Sequence, residues 1–171
     1  MISKVYISYF YQIRFFPKHF IPFSTAIWDP KWYHNFNDEH FVFIDKRGVI
    51  NGYKFIPFVP GANIQDKCRG PENSVACDGN PDTCDYLKGY YKQISKYKVS
   101  KVLETIWKKN DFLKTTLKLD KDIVPVFIVH EAPIKECSER RILFKYFNEN
   151  NIACEEFSKD KIEMEDLFNA F

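Results

Sequence analysis

The feature that most constrains this chain is the run Ile123-Val124-Pro125-Val126-Phe127-Ile128-Val129, which is continuous, apolar and largely β-branched. A strand with one wet face alternates apolar and polar residues, so an unbroken run predicts a strand buried on both faces, as in the interior of a parallel sheet covered by helices. Pro125 removes one ladder donor and weakens that reading slightly.

The remaining segments fit the same architecture. Residues 4–10 are β-branched and aromatic, residues 21–27 repeat that character between Pro17 and Pro30, and both read as strands. Residues 40–44 and 54–59 are weaker strand candidates, and Asn51-Gly52 between apolar stretches is the best hairpin signal in the chain. Residues 61–82 carry Gly, Pro, Asn and Asp with little apolar content, which predicts a long irregular loop. Helical spacing starts near Pro81 and runs through Cys84, Leu87, Tyr91 and Ile94. A second helix opens near Ser100 with the stripe Val102, Leu103, Ile106 and Trp107. A third follows Cys137, with Ile142, Leu143, Tyr146 and Phe147 facing the core; a short strand over 152–157 and a last helix over 161–171 finish the chain. Strands that lead into helices and back predict one layered α/β domain over 1–171, its sheet mostly parallel and flanked by helices.

At 171 residues the chain is long enough to close one hydrophobic core without staples. Lys+Arg of 25 against Asp+Glu of 23 leaves a net charge of +2, too balanced for bulk electrostatics to draw nucleic acid or a membrane surface. The scattered lysines Lys92, Lys96, Lys98, Lys101, Lys108 and Lys109 read as a solvated helix face. Lys4 and the polar residues after it exclude a secretory signal, and no apolar run approaches the roughly 18 residues of a spanning helix. Five cysteines, an odd number without an export signal, point to reduced thiols and a cytoplasmic protein.

In open α/β sheets ligands gather at the carboxyl ends of strands, where loops meet helix N-termini. The strongest strand ends at His130-Glu131, and Cys137-Ser138-Glu139-Arg140-Arg141 then opens a helix. Ser138 is a competent N-cap, and the free amides beside it favour an anion. The same positive helix end, with Arg140 and Arg141, favours a Cys137 thiolate. Glu131 and Cys137 are therefore the candidate catalytic groups, and His130, Ser138, Arg140 and Arg141 the candidate ligand contacts, joined by Tyr9, Trp28, Trp32 and Tyr33 near the other strand ends as rings that stack a base. The bland readings stand beside these: Cys137 as a small buried apolar residue, the arginines as surface charges, the aromatics as core.

Known templates narrow the chemistry. A phosphatase-type loop needs Arg six positions after its Cys, and Leu143 stands there instead. No local signature supports a papain-like pairing of a Cys with His19, His34, His40 or His130. Cys68, Cys77 and Cys84 are spaced more widely than the pairs about two to four residues apart that zinc sites favour, which leaves zinc a minor alternative with Cys137 as fourth ligand. No glycine-rich phosphate loop or dinucleotide fingerprint is present, and no cofactor is assigned.

Taken together, Val5-Tyr6-Ile7-Ser8-Tyr9-Phe10, Ile21-Pro22-Phe23-Ser24 leading to Pro30-Lys31-Trp32-Tyr33, and Val129-His130-Glu131-Ala132-Pro133 with Cys137 resemble the domain-of-unknown-function family 488. The likeness is strongest to short members carried by bacteria and phages, and it covers both ends of the chain. In that family the late strand ends in a Cys-Glu or Cys-x-Glu element, and a Cys-His-Arg triplet precedes the helix. The resemblance implies an α/β fold, a pocket at this loop, and site roles for Glu131, Cys137 and, with a shift, Arg140. This chain lacks the histidine after Cys137, and the family lends no reaction. The resulting expectation is a protein that binds a phosphate-bearing small molecule or nucleotide, with chemical processing of that ligand left open. Arg140→Ala should then weaken binding without changing the melting temperature. The alternative is a non-catalytic, phage-type interaction protein that binds a host protein or sequesters a signalling nucleotide.

Overall fold

The structure, a computed structural model, describes residues 1–35, 50–65, 80–133 and 137–170. Among these residues six strands, β1 (Lys4–Tyr9), β2 (Phe20–Ser24), β3 (Tyr33–Asn35), β4 (Ile50–Lys54), β5 (Val124–Val129) and β6 (Ala153–Glu156), form one sheet in the order β3-β4-β2-β5-β1-β6. Every pairing in it is parallel. Among the described residues six helices flank the sheet: α1 (Ala62–Gln65), α2 (Asp85–Ile94), α3 (Val99–Trp107), α4 (Asn110–Leu117), α5 (Glu139–Glu149) and α6 (Lys159–Asn169). No helix among the described residues is long and apolar enough to cross a membrane.

The unbroken apolar run is β5, and it lies between β1 and β2, as burial on both faces requires. Pro125 is tolerated there because the ladder to β1 begins only at Val126, opposite Tyr6, so the missing N–H falls at the margin of that pairing. Alternation divides the core in two. Val5, Ile7, Ile21, Phe23, Phe127 and Val129 pack under Tyr90, Ile94, Ile106, Leu113, Leu143 and Phe147 from α2 to α5. Tyr6, Phe20, Val126 and Ile128 project from the other face, which Phe10 and Ile13 of a 3-10 turn (Phe10–Phe15), Tyr33 and Ile162 of α6 cover.

The chain leaves β1 across this second face to reach β2, and leaves β5 across the α-helical face to reach β6. Those crossovers run in opposite directions along the sheet, so both are right-handed only because they use opposite faces. Loops that part in this way open a crevice at the carboxyl edge, beside the ends of β1, β5 and β2.

Several local expectations need correction. Asn51-Gly52 is no hairpin turn: it lies inside β4 and pairs in parallel with His34 and Asn35 of β3. The glycine serves a close approach instead, since a Cβ on Gly52 would lie 2.2 Å from the Tyr33 hydroxyl and 2.8 Å from Pro22 Cγ. The strand expected over 54–59 ends at Lys54, and Ile56–Phe58 is a 3-10 turn holding Phe58 in the core. The first long helix starts at Asp85 rather than Pro81, α4 follows α3 unannounced, and α6 begins at Lys159. The strand candidate at 40–44 and most of the 61–82 loop lie outside the described residues.

Candidate functional site

A cavity of about 300 Å³ opens at the carboxyl edge of β2 and β5. Its walls come from three stretches of chain. The segment after β2 gives Thr25, Ala26, Ile27 and Trp28; α1 and the start of α2 give Gln65, Cys84, Tyr86 and Leu87; the end of β5 and the start of α5 give Val129, His130, Glu131, Cys137 and Glu139.

The segment after β2 is pinned on both sides. The Thr25 backbone N–H and side-chain hydroxyl both donate to the Ile128 carbonyl, at 2.9 and 3.0 Å, tying it to β5. Ser24 donates its hydroxyl to Asp29, Asp29 pairs with Lys54 at 3.2 Å, and Lys54 also donates to the Ile27 carbonyl at 3.0 Å. Serine, aspartate and lysine thus fasten both ends of a short arc, and its middle residue, Trp28, is left 81% exposed at the rim.

The opposite wall is built by the N-terminus of α5. Ser138 is the N-cap: its hydroxyl accepts from the Arg140 N–H at 3.2 Å and donates to Glu131 at 3.2 Å, so one side chain both starts the helix and holds the carboxylate at the end of β5. Glu139, first residue of α5, accepts a hydrogen bond from the Tyr86 hydroxyl. A first-turn carboxylate is ordinarily favoured in its charged form by the helix dipole, an effect worth about 1 kcal/mol. Burial and the neighbouring Glu131 charge outweigh it, and the Glu139 carboxyl is raised to about 7. Burial and the Glu139 charge also push the Tyr86 phenol far up, so it stays a donor. Two carboxylates and a phenol therefore form a proton-holding cluster that can give or take a proton near neutrality.

The expected site residues separate into two groups. Glu131, Cys137 and His130 line the cavity, and Ser138 supports it from beneath. Arg140 turns away: it is only 7% exposed, and its Nε donates to Glu156 of β6 at 2.8 Å. Arg141 is exposed and pairs with Asp82 at 2.7 Å. Tyr9 stacks beside Tyr11 and accepts from Gln12, and Trp32 packs edge-on against Phe10 on the second face, so neither ring joins the lining. No lysine or arginine lines the cavity among the described residues. Of the zinc alternative, Cys68 and Cys77 lie outside the described residues, and Cys84 joins Cys137 in the lining. No group of three His, Cys, Asp or Glu is placed to hold a metal among the described residues.

Sequence reasoning missed Glu139, Tyr86 and Thr25 as site residues, and of its four candidate stacking rings only Trp28 joins the lining. Glu139 stood in view within the loop, one position after the N-cap; the others reach the cavity only through tertiary packing. No family model, no curated protein and no solved structure matches the chain.

Proposed function

We propose that this protein binds a small molecule of nucleoside type in the cavity at the carboxyl edge of β5 and acts on it by acid–base chemistry. The observation that carries the reading is the Glu131–Glu139–Tyr86 cluster inside a cavity at the sheet's topological switch. Glu139 is the proton donor and acceptor. Glu131, steadied by Ser138, sets its affinity and accepts from ligand hydroxyls, while Trp28 offers a face on which a base can stack. His130 and Cys137 border the same space, with Cys137 as a pocket wall or a nucleophile. A phosphate is the less supported part of the ligand, because both arginines are engaged with Glu156 and Asp82. The resemblance to family 488 agrees with a pocket at this loop, and the odd cysteine count with a cytoplasmic setting.

The test is NMR titration of the wild type and Glu139→Gln with adenosine and cytidine. Binding should perturb Trp28 and Tyr86, and the variant should bind roughly tenfold more weakly, the cost of one hydrogen bond to a charged group. Unperturbed Trp28 and Tyr86 signals across the series would sink the reading.

A second reading, an interaction protein acting on a macromolecular partner, draws on one observation. Met164, Leu167 and Phe168 form an exposed apolar stripe on α6, at 56%, 62% and 75% exposure. Replacing Leu167 and Phe168 with Ser would abolish partner capture under that reading and leave the cavity untouched.

A further inference from the structure

The cavity carries two acids and, among the described residues, no lysine or arginine in its lining. Burying carboxylates side by side is costly unless a positive group sits with them. The nearest arginines of α5 are committed elsewhere, Arg140 to Glu156 and Arg141 to Asp82. An anionic ligand entering here would set its charge against the Glu131 and Glu139 carboxyls in a partly desolvated space, whereas a cationic one would supply a compensation that none of the described lining residues provides.

The rim points the same way. Trp28 is 81% exposed although the backbone carrying it is tied down by Thr25, Ser24, Asp29 and Lys54. An indole held at the mouth of an acidic cavity has the chemistry that recognises ammonium groups, the ring face attracting the cation and the carboxylates receiving its N–H donors. Lys54, the one cation of the arc, is bound to Asp29 and to the Ile27 carbonyl and does not enter the lining.

We propose that the cavity selects a ligand through a protonated amine, held between Trp28 at the rim and Glu131 with Glu139 inside, and rejects ligands that present phosphate there. This rests on the acid–base cavity proposed above and assigns its ligand class. The ammonium occupies the place where Glu139 otherwise keeps a proton, so amine binding and release of that proton are linked.

The experiment compares three probes that share one ring system: adenosine, adenosine monophosphate, and the adenosine analogue whose primary hydroxyl is replaced by an amine. Affinities are read from the NMR signals of Tyr86 in the wild type, Glu131→Gln, Glu139→Gln and Trp28→Ala, and from indole fluorescence and the Trp28 signal in the three proteins that keep Trp28. The expected order is amine tightest by about tenfold over adenosine, with the monophosphate weakest. Each carboxamide variant should narrow that gap, and Trp28→Ala, altering an exposed side chain, should weaken the amine without changing the melting temperature. Equal binding of amine and adenosine at Trp28 would overturn the charge selection and leave the cavity reading standing. A monophosphate that binds as tightly as the amine would overturn the selection in favour of phosphate. Silence from all three probes would overturn both.

Discussion

Glu139 concentrates the residue-scale consequences of this site. Its folded-state carboxyl holds a proton up to about 7, against 4.5 for the same group in an unfolded chain. The folded state therefore binds the extra proton between those values, and stability falls as pH rises from about 4.5 through about 7, by up to roughly 3 kcal/mol. Glu139→Gln should flatten that slope, and Glu131→Gln should shift it to lower pH by removing the neighbouring charge; urea denaturation at a series of pH values reads both. The thiols separate as clearly. Burial and the charges of Glu156 and Glu155 push Cys154 up to about 12, while Cys137 is exposed at the cavity. Iodoacetamide followed by peptide mass spectrometry should therefore modify Cys137 well before Cys154; equal rates would remove Cys137 from consideration as a nucleophile.

At the scale of elements, α5 carries the heaviest load, because its first turn caps the helix, positions Glu131 through Ser138 and braces β6 through Arg140. Arg140 has Nη atoms without partners, and Glu156 an unpartnered oxygen; its carboxyl is raised by burial even with the guanidinium alongside. Truncating one member strands the other's charge, so Arg140→Ala should destabilise the fold by roughly 3 kcal/mol, measured by thermal or urea unfolding. That departs from the unchanged melting temperature expected of a surface ligand contact. The residues explain what was legible. The unbroken run of β5 and the Ser138 cap are local signals, so the central strand, the α5 start and the loop carrying His130, Glu131 and Cys137 could be read directly. Gly52 could not, because the reason for a glycine there is the Tyr33 ring brought in from another strand. Nor could the inward turn of Arg140, which depends on Glu156 lying beside β1, or the joining of Tyr86 and Thr25 to the cavity from distant segments.

The whole molecule is organised around a sheet whose middle is assembled from remote parts of the chain. β5 is the wedge between β1 and β2, and the bond from Thr25 to Ile128 spans 103 residues. Such pairing closes long loops before it is rewarded, so refolding should be slow for a chain of this size, in the range of milliseconds to seconds, which stopped-flow fluorescence can follow. Substitutions in β5 such as Phe127→Leu should slow refolding more than substitutions in α6 of similar equilibrium cost, since the central strand must dock before either half of the sheet closes. The order of strands also bears on the chain's birth at the ribosome. β1 emerges early as a sticky apolar segment with no strand to pair with, and β2 has only β4 beside it; both lack their central partner until β5 has been synthesised and has cleared the exit tunnel. A pause in translation before residue 124 would lengthen the exposure of those segments to aggregation.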